Sequence, residues 1–188
     1  MQTLTVVNNM LATLGETPLQ SLQDTHEFKT AALNFLEEQS RNIQARGWWF
    51  NRVRKTLPRA IDQTVVVPTN LLAFYPDDKT LIRLGAYIHD TVNDTGLLTK
   101  DVEGTAVVLV PFEDLDETAA AHIAASAVLE FQIMYDGDRA KTEVLGGKLG
   151  RTLAALNAEN TRQVRPNLID NNVRLQRVKR AFTTWRAR

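Results

Sequence analysis

Three histidines, two close pairs of aspartates and one glycine-rich run are the places where this chain could do chemistry. His26, His89 and His122 lie on separate segments. None has the spacing of H-E-x-x-H, which sets two imidazoles one helical turn apart to share a metal. They read as surface or partly buried residues. His122 falls on a helical stretch, where one hydrogen bond would satisfy it in a core. Asp77-Asp78 and the pair Asp136/Asp138 could supply two carboxylates for glycan hydrolysis, or hold a cation. Hydrolysis needs a carboxyl on each side of the scissile bond, one of them with a pKa raised by burial. Both pairs stand among turn residues, where Asp favours local backbone bonds.

The acids from Asp90 to Asp101 lack the spacing of an EF-hand loop. Gly146-Gly-Lys-Leu-Gly150 lacks the G-x-x-x-x-G-K-[ST] order of a phosphate loop, and no strand precedes it. Ser21, Ser40 and Ser126 sit in no G-x-S-x-G elbow. The sequence therefore points to no catalytic, cofactor or metal site.

Two aromatic-and-basic stretches could bind rather than react. Trp48-Trp49-Phe50, with Arg46, Arg52, Arg54 and Lys55 nearby, has the ingredients of a stacking platform for single-stranded nucleic acid. It equally suits a helix-to-strand junction that turns alternate aromatics into the core. From Val173 to Arg188 there are six basic residues and no acidic one, interleaved with Val173, Leu175, Val178, Phe182 and Trp185. A pure phosphate binder needs little besides charge, so the apolar content favours a protein groove. The expected partner-binding residues are Phe182 and Trp185 as anchors, with Arg174, Arg177 and Arg180 at helix-compatible spacing to bond partner carboxylates.

The elements that would carry these residues follow from periodicity. The chain has 188 residues, 44% apolar and 23% charged, enough for a substantial core. Its formal net charge is zero, so no overall field draws it to nucleic acid. It has no cysteine, which excludes disulfides and thiolate metal sites. No apolar run is long enough to span a bilayer. The stretch Met1 to Val7 has neither a basic n-region nor a long apolar h-region, so secretion is not expected.

Leu4, Val7, Leu11 and Leu14 predict a helix from Thr3 to Leu14, stopped by Gly15 and Pro18. Asp24-Thr-His-Glu27 has the form of a capping box for a second helix that Gly47 ends. That helix carries Phe28, Ala32, Phe35, Leu36 and Ile43 inward, and Glu37, Glu38, Arg41 and Gln44 outward. Short β-branched and aromatic runs follow: an aromatic strand at Trp48, then 64–67, 71–75, 80–84, 86–89 and 105–110, broken by Pro and Gly. Five or six short strands in a small, mostly antiparallel sheet are expected. After Pro111, Glu113, Asp114, Asp116 and Glu117 crowd the first turn of a third helix, striped by Leu115, Ala119, Ile123, Ala127 and Phe131. Asp136-Gly-Asp138 separates it from a fourth, with Leu145, Leu149, Leu153 and Leu156. Gly146, Gly147 and Gly150 in that helix suggest close packing against the alanine-rich third. The expected class is α+β: a four-helix bundle body (1–47 and 112–165), an inserted small, mainly antiparallel β domain (48–111) and an extended basic tail (166–188).

Two N-terminal motifs, Val7-Asn-Asn-Met-Leu-Ala-Thr-Leu-Gly-Glu-Thr-Pro18 and Ile43-Gln-Ala-Arg-Gly-Trp-Trp-Phe-Asn51, carry a resemblance. With Leu71 to Asp78, Arg83 to Asp90 and the Pro111-Phe112 start of an acid-capped helix, the chain resembles the tail tubular protein A family, the head-to-tail adaptors of short-tailed bacteriophages. The resemblance covers roughly residues 3–162 and leaves the tail divergent. It implies a structural virion protein in a twelve-copy ring between the portal and a nozzle similar to tail tubular protein B. It also implies tail-fibre attachment near the lower rim, and genomic DNA passing through the lumen without sequence-specific binding. The ring would sit in the virion neck, assembled in the host cytoplasm, with no enzyme activity, cofactor or membrane insertion. Two other classes remain open on the residues alone: a virion-associated glycan or peptidoglycan hydrolase, and a DNA-binding packaging factor.

Overall fold

The computed structural model describes residues 1–164. It is a mixed α+β structure with four helices and a small antiparallel β portion between the second and the third. Helices α1 (Thr3–Leu14), α2 (Lys29–Gln44), α3 (Glu117–Tyr135) and α4 (Arg139–Val164) are joined through α3, which packs against the other three. The reason is in its composition. The stripe Leu115, Ala119, Ile123, Ala127 and Phe131 is buried throughout, and Ala120, Ala124, Ala125 and Val128 are buried beside it. A helix apolar on most of its circumference must be covered on most sides. α1 supplies Val6, Val7, Met10 and Leu11; α2 supplies Ala32, Leu36 and Ile43. α4 contributes Leu156 fully, while Leu145, Leu149 and Leu153 are only half-buried.

Helix ends follow local rules at most boundaries. Gly15 closes α1 at φ 78°, its N–H donating to Ala12 O. Asp116 caps α3 by accepting from Thr118 N, and Asp138 caps α4 by accepting from Lys141 N at 2.8 Å. Two expectations fail. Asp24 does not cap α2; its carboxylate accepts from Gln20 N and Ser21 N and braces the preceding loop. The N–H of Phe28 donates to His26 Nδ1 instead. Glu113 and Asp114 lie in a separate 3-10 turn, because Leu115 and Asp116 are extended and α3 starts only at Glu117.

The glycines of α4 are also not explained by close packing. A Cβ at Gly146 or Gly150 would meet nothing within 4 Å, and one at Gly147 only the tip of Arg151. Nothing in the fold accounts for their choice.

The β portion holds β1 (Arg52–Leu57), β2 (Leu71–Pro76), β3 (Leu81–Leu84), β4 (Tyr87–Asp90) and β5 (Val102–Val108). The order β1-β5-β2 forms an antiparallel sheet, and β3 and β4 form a hairpin. Residues 65–67 run beside β4 through two backbone bonds, Val67 N to Ala86 O and Ile88 N to Val65 O, rather than forming a full strand. The aromatic triplet is a turn and not a strand: Asn51 N and Arg52 N both donate to Trp48 O. Arg-Val-Arg-Lys-Thr-Leu becomes β1 although it lacks apolar alternation, because β5 pairs with it over its whole length. A second core lies here, built on Leu57, Val65, Phe74, Leu81, Ile88 and Val102. Gly104 makes the β2–β5 approach possible, since a Cβ there would overlap the Tyr75 carbonyl oxygen and come within 2.8 Å of the Phe74 ring.

Two buried amides join the helical part to the strands. Gln44, expected on the outer face, is completely buried. Its Oε1 accepts from Val110 N, and its Nε2 donates to Val110 O and to Ser40 Oγ, each at 2.9 Å. Asn51 Oδ1 accepts from Trp48 N, and its Nδ2 donates to Gln44 O and Val108 O. The two side chains thus hold the chain where it leaves α2 and where it returns from β5. Replacing Gln44 with Leu keeps the bulk but leaves both polar groups of Val110 without these partners. We expect a loss of about 2–4 kcal/mol, read as a lower denaturant midpoint; an unchanged midpoint would show the joint to be dispensable.

Candidate functional site

The residues suspected of chemistry are each held in a local structural role. Arg54 donates to both carboxylate oxygens of Asp77, at 2.6 and 2.5 Å, across the exposed face of the sheet. Asp78 Oδ1 accepts from the N–H and hydroxyl of Thr80. Asp136 accepts from Lys141 Nζ and Gln132 Nε2 where α3 hands over to α4. These bonds favour the charged form. The Arg54 hydrogen bond holds Asp77 below the usual carboxylate range, bonds from Thr80 do the same for Asp78, and Lys141 leads for Asp136. Asp90 is lowered too, first by the side chain of Asn93. Lowered pKa values are opposite to what a general acid requires. Among the described residues, no group of three His, Asp or Glu side chains is placed to hold a metal ion.

The glycine-rich run lies inside α4, so its N–H groups serve the helix and cannot cradle a phosphate. Trp48 is buried, with its indole N–H donating to Ile43 O at 2.8 Å. Trp49 and Phe50 pack edge to face, 5.1 Å apart, and both lean on the helical core. The triplet is therefore committed to packing. His122 is 6% exposed, and its Nδ1 lies 3.1 Å from Thr152 Oγ1. The Thr152 hydroxyl hydrogen goes to Leu149 O. His122 must then carry its proton on Nδ1 and donate it to Thr152.

Among the described residues, what remains to consider are surfaces. On the hairpin, Leu84 faces Tyr87 and Ile82 faces His89 across the strands, so all four share one face. Val66 joins them by its bridge to Tyr87. Val66, Ile82, Leu84 and Tyr87 are 50%, 44%, 61% and 50% exposed, while Leu81 and Ile88 on the opposite face are buried. A second apolar surface is a cleft of about 490 Å³ between α1 and α4, with Ala12, Val144 and Leu145 in its walls. A third is a groove of about 280 Å³ along α2, closed on its far side by residues 109–112. Periodicity did not reveal these surfaces. Apolar residues are visible in sequence, but whether a neighbour covers them is not. The residues expected to bind a partner, Arg174, Arg177, Arg180, Phe182 and Trp185, lie outside the described residues.

Comparison with known proteins gives a consistent answer. A family model described as tail tubular protein matches residues 4–175. Tail tubular protein A of Klebsiella phage KP34 is 29% identical over 127 residues, spanning 66% of this chain and 68% of that protein.

His122 provides a test by acidification. Burial and the nearby Arg46 charge both lower its pKa. The unfolded chain then binds a proton at higher pH than the folded one. The histidine's contribution is complete above about pH 6.5 and is lost as pH falls toward the lowered folded value. His122→Asn keeps an N–H donor for Thr152 and removes the titration. We expect the variant to show a flatter dependence of unfolding free energy on pH as pH falls below about 6.5. Parallel curves for the two proteins would refute the assignment.

Proposed function

This chain belongs to the tail tubular protein family of bacteriophages, and on that premise we propose that it is the head-to-tail adaptor of a short-tailed particle. As a member of the family it is a structural component of the virion tail. No described helix is long and apolar enough to cross a membrane. In our reading, twelve copies form a ring between the portal and the nozzle. DNA leaves through the lumen without sequence-specific contacts, and tail fibres attach near the lower rim. Residues 1–47 and 112–165 act as a four-helix body, 48–111 as an inserted module, and 166–188 as a docking tail.

One observation carries this reading beyond the family assignment. The apolar hairpin face and the apolar α1–α4 cleft lie on different parts of the chain, and none of the described residues covers either. Exposed apolar patches of this kind mark places where a partner removes water. A closed ring of identical subunits needs two unlike surfaces on each copy, meeting head to tail. Partners above and below need further ones. We assign no enzyme activity, because the candidate aspartates are engaged by Arg54, Thr80, Lys141 and Gln132 in their charged forms.

The test is the neck of the native particle. A symmetric reconstruction should place twelve copies of this chain directly below the portal; any other copy number or position would overturn the ring. In the tail, Phe182→Ala and Trp185→Ala should each weaken docking by roughly 2 kcal/mol. Removal of residues 173–188 should leave the unfolding midpoint of the body unchanged while abolishing the joining of heads to tails. Normal yields of stable tailed particles from that deletion would refute the docking role.

A further inference from the structure

The groove along α2 differs from the other apolar surfaces in its charge. Its floor is apolar, with Leu33 and Leu36 on one side and Val110 and Phe112 on the other. Glu37 lines it, and Arg41 is the cation in its wall. Directly after Phe112 come Glu113 and Asp114, both exposed in the 3-10 turn. The groove thus offers an apolar slot lined by one acid and one cation, with two further exposed acids following Phe112 in the chain. A segment of complementary composition is present in this same chain. Residues 173–188 carry six cations, no acid, and two aromatic residues, Phe182 and Trp185.

We infer that the α2 groove is the receptor for the C-terminal segment of a neighbouring copy, with Phe182 or Trp185 in the apolar slot and the adjacent arginines on Glu37, Glu113 and Asp114. The inference rests on the ring reading, which supplies the neighbouring copy. Each half of the contact alone is ordinary: surface carboxylates are common, and a single apolar slot is shallow. Together they discriminate. A neutral apolar peptide would leave Glu37 and the neighbouring Glu113 and Asp114 without partners, and phosphate-rich nucleic acid would meet these three acids as like charges. An aromatic anchor flanked by arginines satisfies both the floor and these acids. The geometry also suits a ring. The slot belongs to the helical body, whereas the segment follows α4, so an exchange of tails would link each copy to the next in one rotational sense.

The absence of native cysteine makes the contact measurable in the full-length protein. Glu37→Cys and Thr184→Cys, combined in one chain, place a thiol at the groove rim and another between the two aromatic residues. A short bis-maleimide should join them between copies, with a rate that rises with protein concentration. It should exceed by at least tenfold the rate for a control chain carrying Asp62→Cys and Thr184→Cys, since Asp62 is exposed on the β portion. Adding Phe182→Ala and Trp185→Ala should bring the groove pair down to the control rate. Charge reversal at Glu113 and Asp114 to Lys should slow it severalfold without altering the folded spectrum. Linking no faster than the control, or a concentration-independent link confined within one copy, would overturn the inference. Copy number in the reconstructed neck is read independently. A twelve-copy ring without this link removes only the groove assignment, whereas a different copy number removes the ring.

Discussion

The joint at Gln44 and Asn51 is the constraint on which the rest of this structure depends. The protein has two separate cores, one among the helices and one among the strands, and the chain passes between them at the end of α2 and again after β5. At both crossings regular structure stops, leaving backbone groups with no ladder or helix to satisfy them. Asn51 Nδ2 donates to Gln44 O in the last turn of α2, and the Gln44 side chain covers both polar groups of Val110. Apolar contact alone would permit sliding at such a boundary. Directional bonds between fully buried amides allow one arrangement, because any displacement leaves a desolvated group unpaired. The joint therefore sets how the β portion is presented relative to the helices.

The same joint shows where sequence reading reaches its limit. Regular periodicity was legible. The stripe from Leu115 to Phe131 is buried at every expected position, α1 spans Thr3–Leu14 with Gly15 at its end, and β3 and β4 meet around Gly85. These elements announce themselves because burial on one face imposes a repeat. Gln44 gave no such signal: by spacing and polarity it belonged to the outer face of α2. Its burial is decided by a partner 66 residues away. β1 was obscured for a similar reason, since its strand character comes from pairing with β5 and not from its own alternation. Asp24 had the right composition for a cap, but the loop before α2 used its carboxylate first. Among the candidate functional residues, the local backbone bonds of Asp78 and Asp138 were readable from Asp in turn contexts, whereas Asp77 and Asp136 bond side chains instead. Those partners, Arg54 and Lys141, were not readable.

The distribution of polarity explains the working character of the molecule. α3 is covered nearly all round and gives the helical part a fixed interior. Exposed apolar side chains lie on several elements: four on the hairpin face, Val144 in the α1–α4 cleft, and others such as Ile61, Val92, Leu97 and Met134 outside both. Polar groups that might have reacted are spent on turns, caps and the exposed Arg54–Asp77 pair. Such a division suits a component whose work is done by holding neighbours in place.

The pairing of β1 with β5 has a mechanical consequence. Both strands meet the helical body at the same end, at Arg52 and Val108, and both reach the distal part of the module at Leu57 and Val102. A pull applied to the distal part runs down both strands in the same direction. Neither strand is dragged past the other, and neither is peeled away, so the hydrogen bonds between them carry little of the tension. The load passes instead through covalent backbone into the turn at Trp48 and the stretch beyond Val108, where Asn51 and Gln44 receive it. A stem of this kind can transmit force between whatever grips the module and whatever holds the helices, without unzipping.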